Sequence, residues 1–406
     1  MRADVVSKVI FEYATKIGSA RETDASLRLN ADMARDLVGA DRCSIWLIDA
    51  KAQQLWTKVA HGVEEIRIPI GQGVVGACIA GKETIVVNDT SLDPRFLSSG
   101  DYAVKSLLAI PLRGEDGSVI GALQALNKQG GFTQEDVDLL GLAAAYSASA
   151  LETQMLREEA EAARLMRKEL EIAHSVQQRL FPQDPPRLRG LDYSAHCRPA
   201  RSVGGDYYDF IALDDGGLFF TLGDVSGKGI AAAVLMASIQ ASIRTQVLGG
   251  VESLANLMGT FNRAVYLFSM EDRYSTLFCG LLDGSMRKLT YVNAGQVRPL
   301  LLRSGGKMET LDRGGLPVGL LEEASYEQGE VILETGDFIV AFSDGISEAT
   351  NGKDEMWDEA EARRVVRLNA GLTAEGMVRK LIAEADAFAG DAEQADDLTV
   401  VALKAV

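Results

Sequence analysis

The stretch Ser202-Val203-Gly204-Gly205-Asp206-Tyr207-Tyr208-Asp209-Phe210 and its continuation, Leu222-Gly223-Asp224-Val225-Ser226-Gly227-Lys228-Gly229-Ile230, decide how this chain reads. Between them an apolar run, the turn Asp214-Asp215-Gly216-Gly217 and a second apolar run predict a β-hairpin. A hairpin sets Asp206 and Asp224 on neighbouring strands with carboxylates able to converge. Two more acidic signals lie downstream: Ser343-Asp344-Gly345-Ile346 after the apolar run from Phe338 to Phe342, and Ala395-Asp396-Asp397 before the run from Leu398 to Leu403. Four Asp-bearing strand ends make an oxygen-rich cage suited to hard divalent metals. Two carboxylates about 4 Å apart repel by roughly 4 kcal/mol at an effective dielectric near 20, so such a cluster protonates or splays unless cations hold it. Asp beside Gly also serves simple turns, and each motif alone admits that reading. Their joint order is what favours a site.

In that order, 204–209, 223–229, 343–346 and 396–400 resemble the bacterial branch of the metal-dependent PPM serine/threonine phosphatases, most closely the sporulation stage II protein E and sigma-factor regulator group. The resemblance covers about 172 to 406. It implies a β-sandwich flanked by helices and hydrolysis of phosphoserine or phosphothreonine with two Mn²⁺ or Mg²⁺ ions. It places Asp224 as the bridging ligand, with the Val225 carbonyl, Asp206, Asp344 and Asp396 completing the site; Asp396 rather than Asp397 aligns with the family's ligand. Such ions would supply a nucleophile from water near neutral pH and stabilise charge on the phosphoryl oxygens. Arg201, five residues before Asp206, has the offset of a phosphate-binding Arg in eukaryotic relatives; a plain surface arginine is the other reading. Ser226 stands where the eukaryotic enzymes have a His, which puts a side-chain general acid in doubt. Gln296, in Ala294-Gly295-Gln296, replaces the bacterial group's His. The substrate implied is a phosphorylated anti-sigma-factor antagonist or a similar small STAS-type protein. The rival from another class is a catalytically weak sensor or scaffold that keeps the fold to bind a phosphoprotein partner. Gly227-Lys228-Gly229 is not a Walker loop, since the preceding Gly spacing and the following Ser or Thr are missing.

At 406 residues the chain has room for two domains, and 47% hydrophobic with 24% charged residues is a globular composition. A net charge of -17 argues against binding a nucleic-acid backbone. Cys43, Cys78, Cys197 and Cys279 are scattered without Cys-x-x-Cys spacing, which predicts reduced thiols in a cytoplasmic protein. No apolar run reads as long as the roughly 18 residues that span a bilayer, and no signal-peptide pattern is seen. No membrane association is expected.

The first 150 residues predict an α+β unit: helices over about 1–18 and from Thr23 to Val38, then strands around Arg42–Ile48, Gln54–Val59, Thr84–Asn88, Lys105–Pro111 and Ser118–Asn127. A Gly-rich entry, Gly71-Gln72-Gly73-Val74-Val75-Gly76, precedes a short helix. This order is similar to a GAF domain. Asn127, Lys128, Phe132 and Asp136 resemble the signature of cyclic-nucleotide-binding members, with Val137 in place of the final Glu. Two readings stay open: a cyclic nucleotide or other small ligand bound in the domain, or Thr133 and Asp136 merely closing a capping-box-like contact at a helix start.

From Thr133 to Phe181 the pattern is helical, and about 48 residues at 1.5 Å each span roughly 70 Å. Leu156, Ala163, Met166, Leu170, Ala173, Gln177 and Leu180 alternate by three and four, a coiled-coil seam interrupted at Glu159 that predicts a parallel homodimer, with a solvated spacer helix as the other reading. Glu159 and Gln177 read as polar, inward seam positions that leave the register bistable. The division expected is therefore a GAF sensor over 1–150, a helical linker over 151–181 and a phosphatase domain over 182–406.

Overall fold

Apolar side chains that alternate along each strand cover both faces of the sheets, and helices with one apolar stripe close over them. A computed structural model describes residues 3–19, 23–60, 65–97, 102–269 and 273–406. The chain divides into two compact units, Met1–Leu165 and Met166–Val406.

The first unit holds α1 (Ala3–Ser19), α2 (Thr23–Val38), β1 (Arg42–Asp49), β2 (Gln54–Ala60), β3 (Arg67–Pro69), α3 (Gly73–Gly81), β4 (Ile85–Val87), β5 (Leu107–Arg113), β6 (Val119–Leu126) and the start of α4 (Gln134–Gln178). Its sheet has the order β3-β2-β1-β6-β5-β4, with antiparallel neighbours throughout. The period of two decides which face each residue serves. On β5, Leu108, Ile110 and Leu112 pack with α2 and α4, whereas Leu107 and Ala109 turn to Val75 and Cys78 of α3.

The second unit begins in the last turns of α4 and continues through β7 (Leu191–Arg198), β8 (Tyr207–Ala212), β9 (Leu218–Val225), α5 (Ile230–Leu248), α6 (Leu254–Phe268), β10 (Ser275–Leu282), β11 (Lys288–Ala294), β12 (Leu300–Leu302), β13 (Met308–Thr310), β14 (Gly314–Gly315), β15 (Gly329–Ile332), β16 (Phe338–Phe342), α7 (Asp344–Ser347), α8 (Asp358–Leu368), α9 (Ala374–Ala389) and β17 (Leu398–Ala405). One sheet runs β14-β11-β10-β9-β8 with β15 also on β11; the other runs β13-β12-β16-β17-β7. Ile339 and Ala341 of β16 meet Phe220 and Leu222 of β9 between the sheets, while Phe338, Val340 and Phe342 face α8 and α9. Phe219 of β9 faces α5 and α6. The result is a four-layer helix–sheet–sheet–helix sandwich.

Several expectations need correction. Sequence periodicity missed β7, whose burial is mostly partial because it lies at a sheet edge, and α8, whose apolar face is only Ala362, Val365 and Val366. One helix, α5, is long and apolar enough to cross a bilayer by length and composition, contrary to the sequence reading. Here Ala232, Met236, Ile239, Ile243 and Val247 of α5 lie in the core against β8, β9 and α6. The seam also divides: Leu156 and Met166 are exposed, but Gln177 is 5% exposed and buried within the second unit. It is not an open seam position. All four cysteines are free thiols, with Cys43, Cys78 and Cys279 buried.

Candidate active site

The β8–β9 hairpin forms as its Asp-Asp-Gly-Gly turn predicts, with Tyr207 opposite Gly223, so Asp206 and Asp224 are the next pair along. Asp344 opens α7 directly after β16, and Asp396 lies just before β17. The first two thus come from one sheet and the last two from the other.

Asp206 is 2% exposed. Its carboxyl receives a short hydrogen bond from the Thr399 hydroxyl. Burial pushes its proton affinity well up, the charges of Asp224 and Asp397 push further, and bonds from Thr399 and Ser343 oppose them. Asp224 is pushed up to about 7, by burial first and then by the charges of Asp344, Asp396 and Asp397, and a hydrogen bond with Asp206 pulls the other way. Asp344 is raised by burial, then by Glu348 and Asp396.

Two cradling contacts fix the backbone. A side chain on Gly205 would bring its Cβ to 2.8 Å from the Val225 carbonyl, and one on Gly345 would bring it to 2.1 Å from the Asp397 carbonyl. Only glycine allows either approach, which is why the motifs carry it.

Sequence reasoning missed the roles of four residues here. Asp397 accepts from the backbone N–H groups of Ala200 and Gly205, both at 2.7 Å, and of Asp206 at 3.3 Å. Its oxygens are thereby engaged in holding the loop before Asp206. Gln177 makes a reciprocal pair with Gly204: its Nε2 donates to the Gly204 carbonyl at 2.7 Å and its Oε1 accepts from the Gly204 N–H at 3.1 Å. Beside it, His174 Nδ1 bonds the Ser202 carbonyl at 2.7 Å. Lys228 pairs with Asp396 at 2.8 Å and donates to the Ala395 carbonyl at 2.7 Å. The missing signal is the same in each case: the partner is backbone or a distant motif, which residue spacing does not reveal.

Arg201 is exposed and has no ion pair or hydrogen bond among the described residues, so the structure does not tie it to the cluster. The Ser226 hydroxyl accepts from the Tyr274 N–H at 3.0 Å, a structural bond. A cavity of about 290 Å³ opens beside Lys228 and Asp396, lined also by Arg198, Glu348 and Gln394. Among the described residues no three carboxylates, imidazoles or thiols close into a group that encloses an ion as arranged here. The donor set itself, all oxygen and electrostatically crowded, fits hard divalent cations by its chemistry.

In the first unit the GAF signature residues are absorbed by the fold. Asn127 accepts from Lys105 N–H at 2.7 Å and donates to the Ala103 carbonyl at 2.8 Å. Lys128 pairs with the buried Asp136, whose other oxygen accepts from the Thr133 N–H and hydroxyl at 2.8 and 2.9 Å. Phe132 is buried, and its backbone is bracketed by Asn88.

A GAF domain precedes a SpoIIE-type PP2C phosphatase domain, as the matches to two family models show. Residues 22–151 match the GAF domain model, and residues 214–406 match the model of Stage II sporulation protein E (SpoIIE). Among individual proteins, the chain is similar to Protein IcfG of Synechocystis sp., 25% identical over 311 residues, which is 68% of this chain and 48% of IcfG. It is also similar to phosphoserine phosphatase RsbU of Bacillus subtilis, 27% identical over 240 residues, 59% of this chain and 70% of RsbU. The chain thus spans about half the length of the first of these relatives and more than two thirds of the second. The fold of the SiaA-PP2C domain of Pseudomonas aeruginosa superposes with a TM-score of 0.54 at 19% identity, covering 60% of this chain and 98% of that domain.

Proposed function

We propose that the chain is a divalent-metal-dependent phosphoserine/phosphothreonine protein phosphatase controlled through its GAF domain. In this reading Asp206, Asp224, Asp344, Asp396 and the Val225 carbonyl hold two Mn²⁺ or Mg²⁺ ions. The observation that carries it is the convergence of Asp206, Asp224, Asp344 and Asp396 at strand ends of both sheets, close enough to perturb one another's charge. Bound there, the ions supply a nucleophile from water and charge stabilisation for the phosphoryl group.

The chain's own residues provide the frame. Asp397 and Gln177 hold the loop that carries Asp206, and Thr399 orients its carboxyl. Lys228 borders the 290 Å³ cavity, which has room for a phosphorylated side chain, and brings positive charge to it. Arg201, unpaired among the described residues, is left available to the substrate's phosphate.

RsbU is by name a phosphoserine phosphatase, which supports phosphoserine as the group attacked here; the reading takes the substrate to be a phosphorylated anti-sigma-factor antagonist of the STAS type. The reading includes a cytoplasmic location, no nucleic-acid partner, and a homodimer through the exposed Met155, Leu156, Leu165 and Met166 of α4. It keeps a small regulatory ligand for the GAF domain. The signature residues give a cyclic nucleotide no binding group of their own, because their polar atoms serve the fold.

A catalytically weak scaffold is the second reading, favoured by the Lys228–Asp396 ion pair, which neutralises one proposed ligand. The test is hydrolysis of p-nitrophenyl phosphate and of a phosphoserine peptide by the full chain, first stripped with chelator. Turnover that appears with Mn²⁺ and stops with EDTA is expected. A folded chain without turnover at any Mn²⁺ concentration replaces the enzyme with the scaffold.

A further inference from the structure

A second cavity, of about 720 Å³, lies at the end of β11 and is lined by Asn293, Gln296, Arg298, Asp312, Arg313 and Glu327 among others. Its construction begins with a closed turn. The Gln296 N–H donates to Asn293 Oδ1 at 2.8 Å, and Asn293 Nδ2 donates to the Gln296 carbonyl at 3.1 Å. That turn buries the Gln296 side chain to 6% exposure. Its Oε1 accepts from the Thr276 hydroxyl, while its Nε2 has no hydrogen-bond partner among the described residues. A buried donor left without an acceptor costs free energy that a ligand's acceptor returns.

The charges around it select the ligand. Arg313 is paired with Glu327 at 3.2 Å. Arg298 has no ion pair or hydrogen bond among the described residues, and it supplies a planar fork suited to a carboxylate. Asp312 at the same cavity disfavours a dianion such as a second phosphate.

The position relates this cavity to the site already described. Thr276 stands opposite Asp224 in the ladder, and Ala294 stands opposite Leu277. Gln296 therefore follows a strand two places from that of Asp224, about 10 Å away at the usual strand spacing. An extended peptide covers about 10 Å in three residues.

We propose that this cavity is a docking subsite for a carboxylate side chain about three residues from the phosphorylated residue of the protein substrate. The proposal rests on the phosphatase reading above. In a chain of net charge -17, one local pair of donors for an acidic side chain sets the register of a substrate that the rest of the surface repels.

The experiment uses the full chain and phosphoserine heptapeptides in which a single Glu, or a single Lys, is walked through the three positions on either side of the phosphoserine. The readout is the Glu-over-Lys ratio of kcat/KM at each position. At one position the wild type should favour Glu by about tenfold or more; Arg298→Glu should invert that preference, and Gln296→Leu should shrink it to about twofold or less. A wild-type ratio within about twofold at every position, or the same pattern in Arg298→Glu, overturns the subsite. If no peptide is turned over with Mn²⁺ or Mg²⁺, the phosphatase reading has failed separately. Fluorescence anisotropy of the labelled peptides then decides the subsite: Glu peptides binding about tenfold tighter than Lys peptides, with loss of that margin in Arg298→Glu, supports it, and equal binding removes it.

Discussion

Gln177 and Asp397 both grip the backbone that leads into Asp206, one from the last turn of α4 and one from the start of β17. Neither touches the proposed ligands' function directly, yet each satisfies polar backbone groups buried beside it. Gln177→Leu leaves the N–H and carbonyl of Gly204 unpaired and should cost about 2 kcal/mol of stability. It should also lower kcat/KM for p-nitrophenyl phosphate about tenfold and raise the Mn²⁺ concentration needed for half-maximal rate. A Gln177→Leu chain that melts higher than wild type would instead restore the coiled-coil role read from spacing. Glu159, exposed on α4, offers the control: Glu159→Leu should change neither kcat/KM nor the Mn²⁺ requirement. The four aspartates were legible because acidic residues beside glycine at strand ends form recognisable motifs. Gln177 was not, since a seam residue and a residue buried against a loop share the same spacing. Lys228 was read only for the motif it fails to make.

Among the elements, the strands with two apolar faces announced themselves, and α5 with α6 followed from their apolar runs. β7 did not, because an edge strand such as Leu191–Arg198 is half polar, and α8 did not, because charges cover most of its surface. The start of α4 shows how a signature can serve structure. Burial raises the proton affinity of Asp136, but bonds from Lys128 and from the Thr133 N–H and hydroxyl outweigh it and hold the carboxyl below its usual range. A carboxyl lowered in the folded state contributes stability that is present above its unfolded value and is lost as pH falls through the folded value. Lys128→Met should therefore destabilise this unit by about 2 kcal/mol at neutral pH, with the difference fading as pH falls below the usual carboxylate range. Thermal melting followed by tryptophan fluorescence checks it, since Trp46 and Trp56 lie in this unit. An equal loss at both pH values would contradict the assigned role.

At the scale of the whole molecule, the division into a sensor-like unit and a sandwich was legible from element order and motif order. The cation lodged in the acidic cluster was not legible, because Lys228 and Asp396 are far apart in sequence. The exposed apolar residues of α4 predict that light scattering gives the mass of two chains; a one-chain mass would take the dimer out of the account. Everything proposed about chemistry depends on what the aspartates of the two sheets hold together. The direct measurement is calorimetric titration of Mn²⁺ into the chelator-stripped full chain, wild type and Asp224→Asn. The account predicts two ions bound per wild-type chain and loss of that binding in Asp224→Asn, whose amide is a poor bridge between cations. No Mn²⁺ bound by the folded wild type, or unchanged binding by Asp224→Asn, would contradict it.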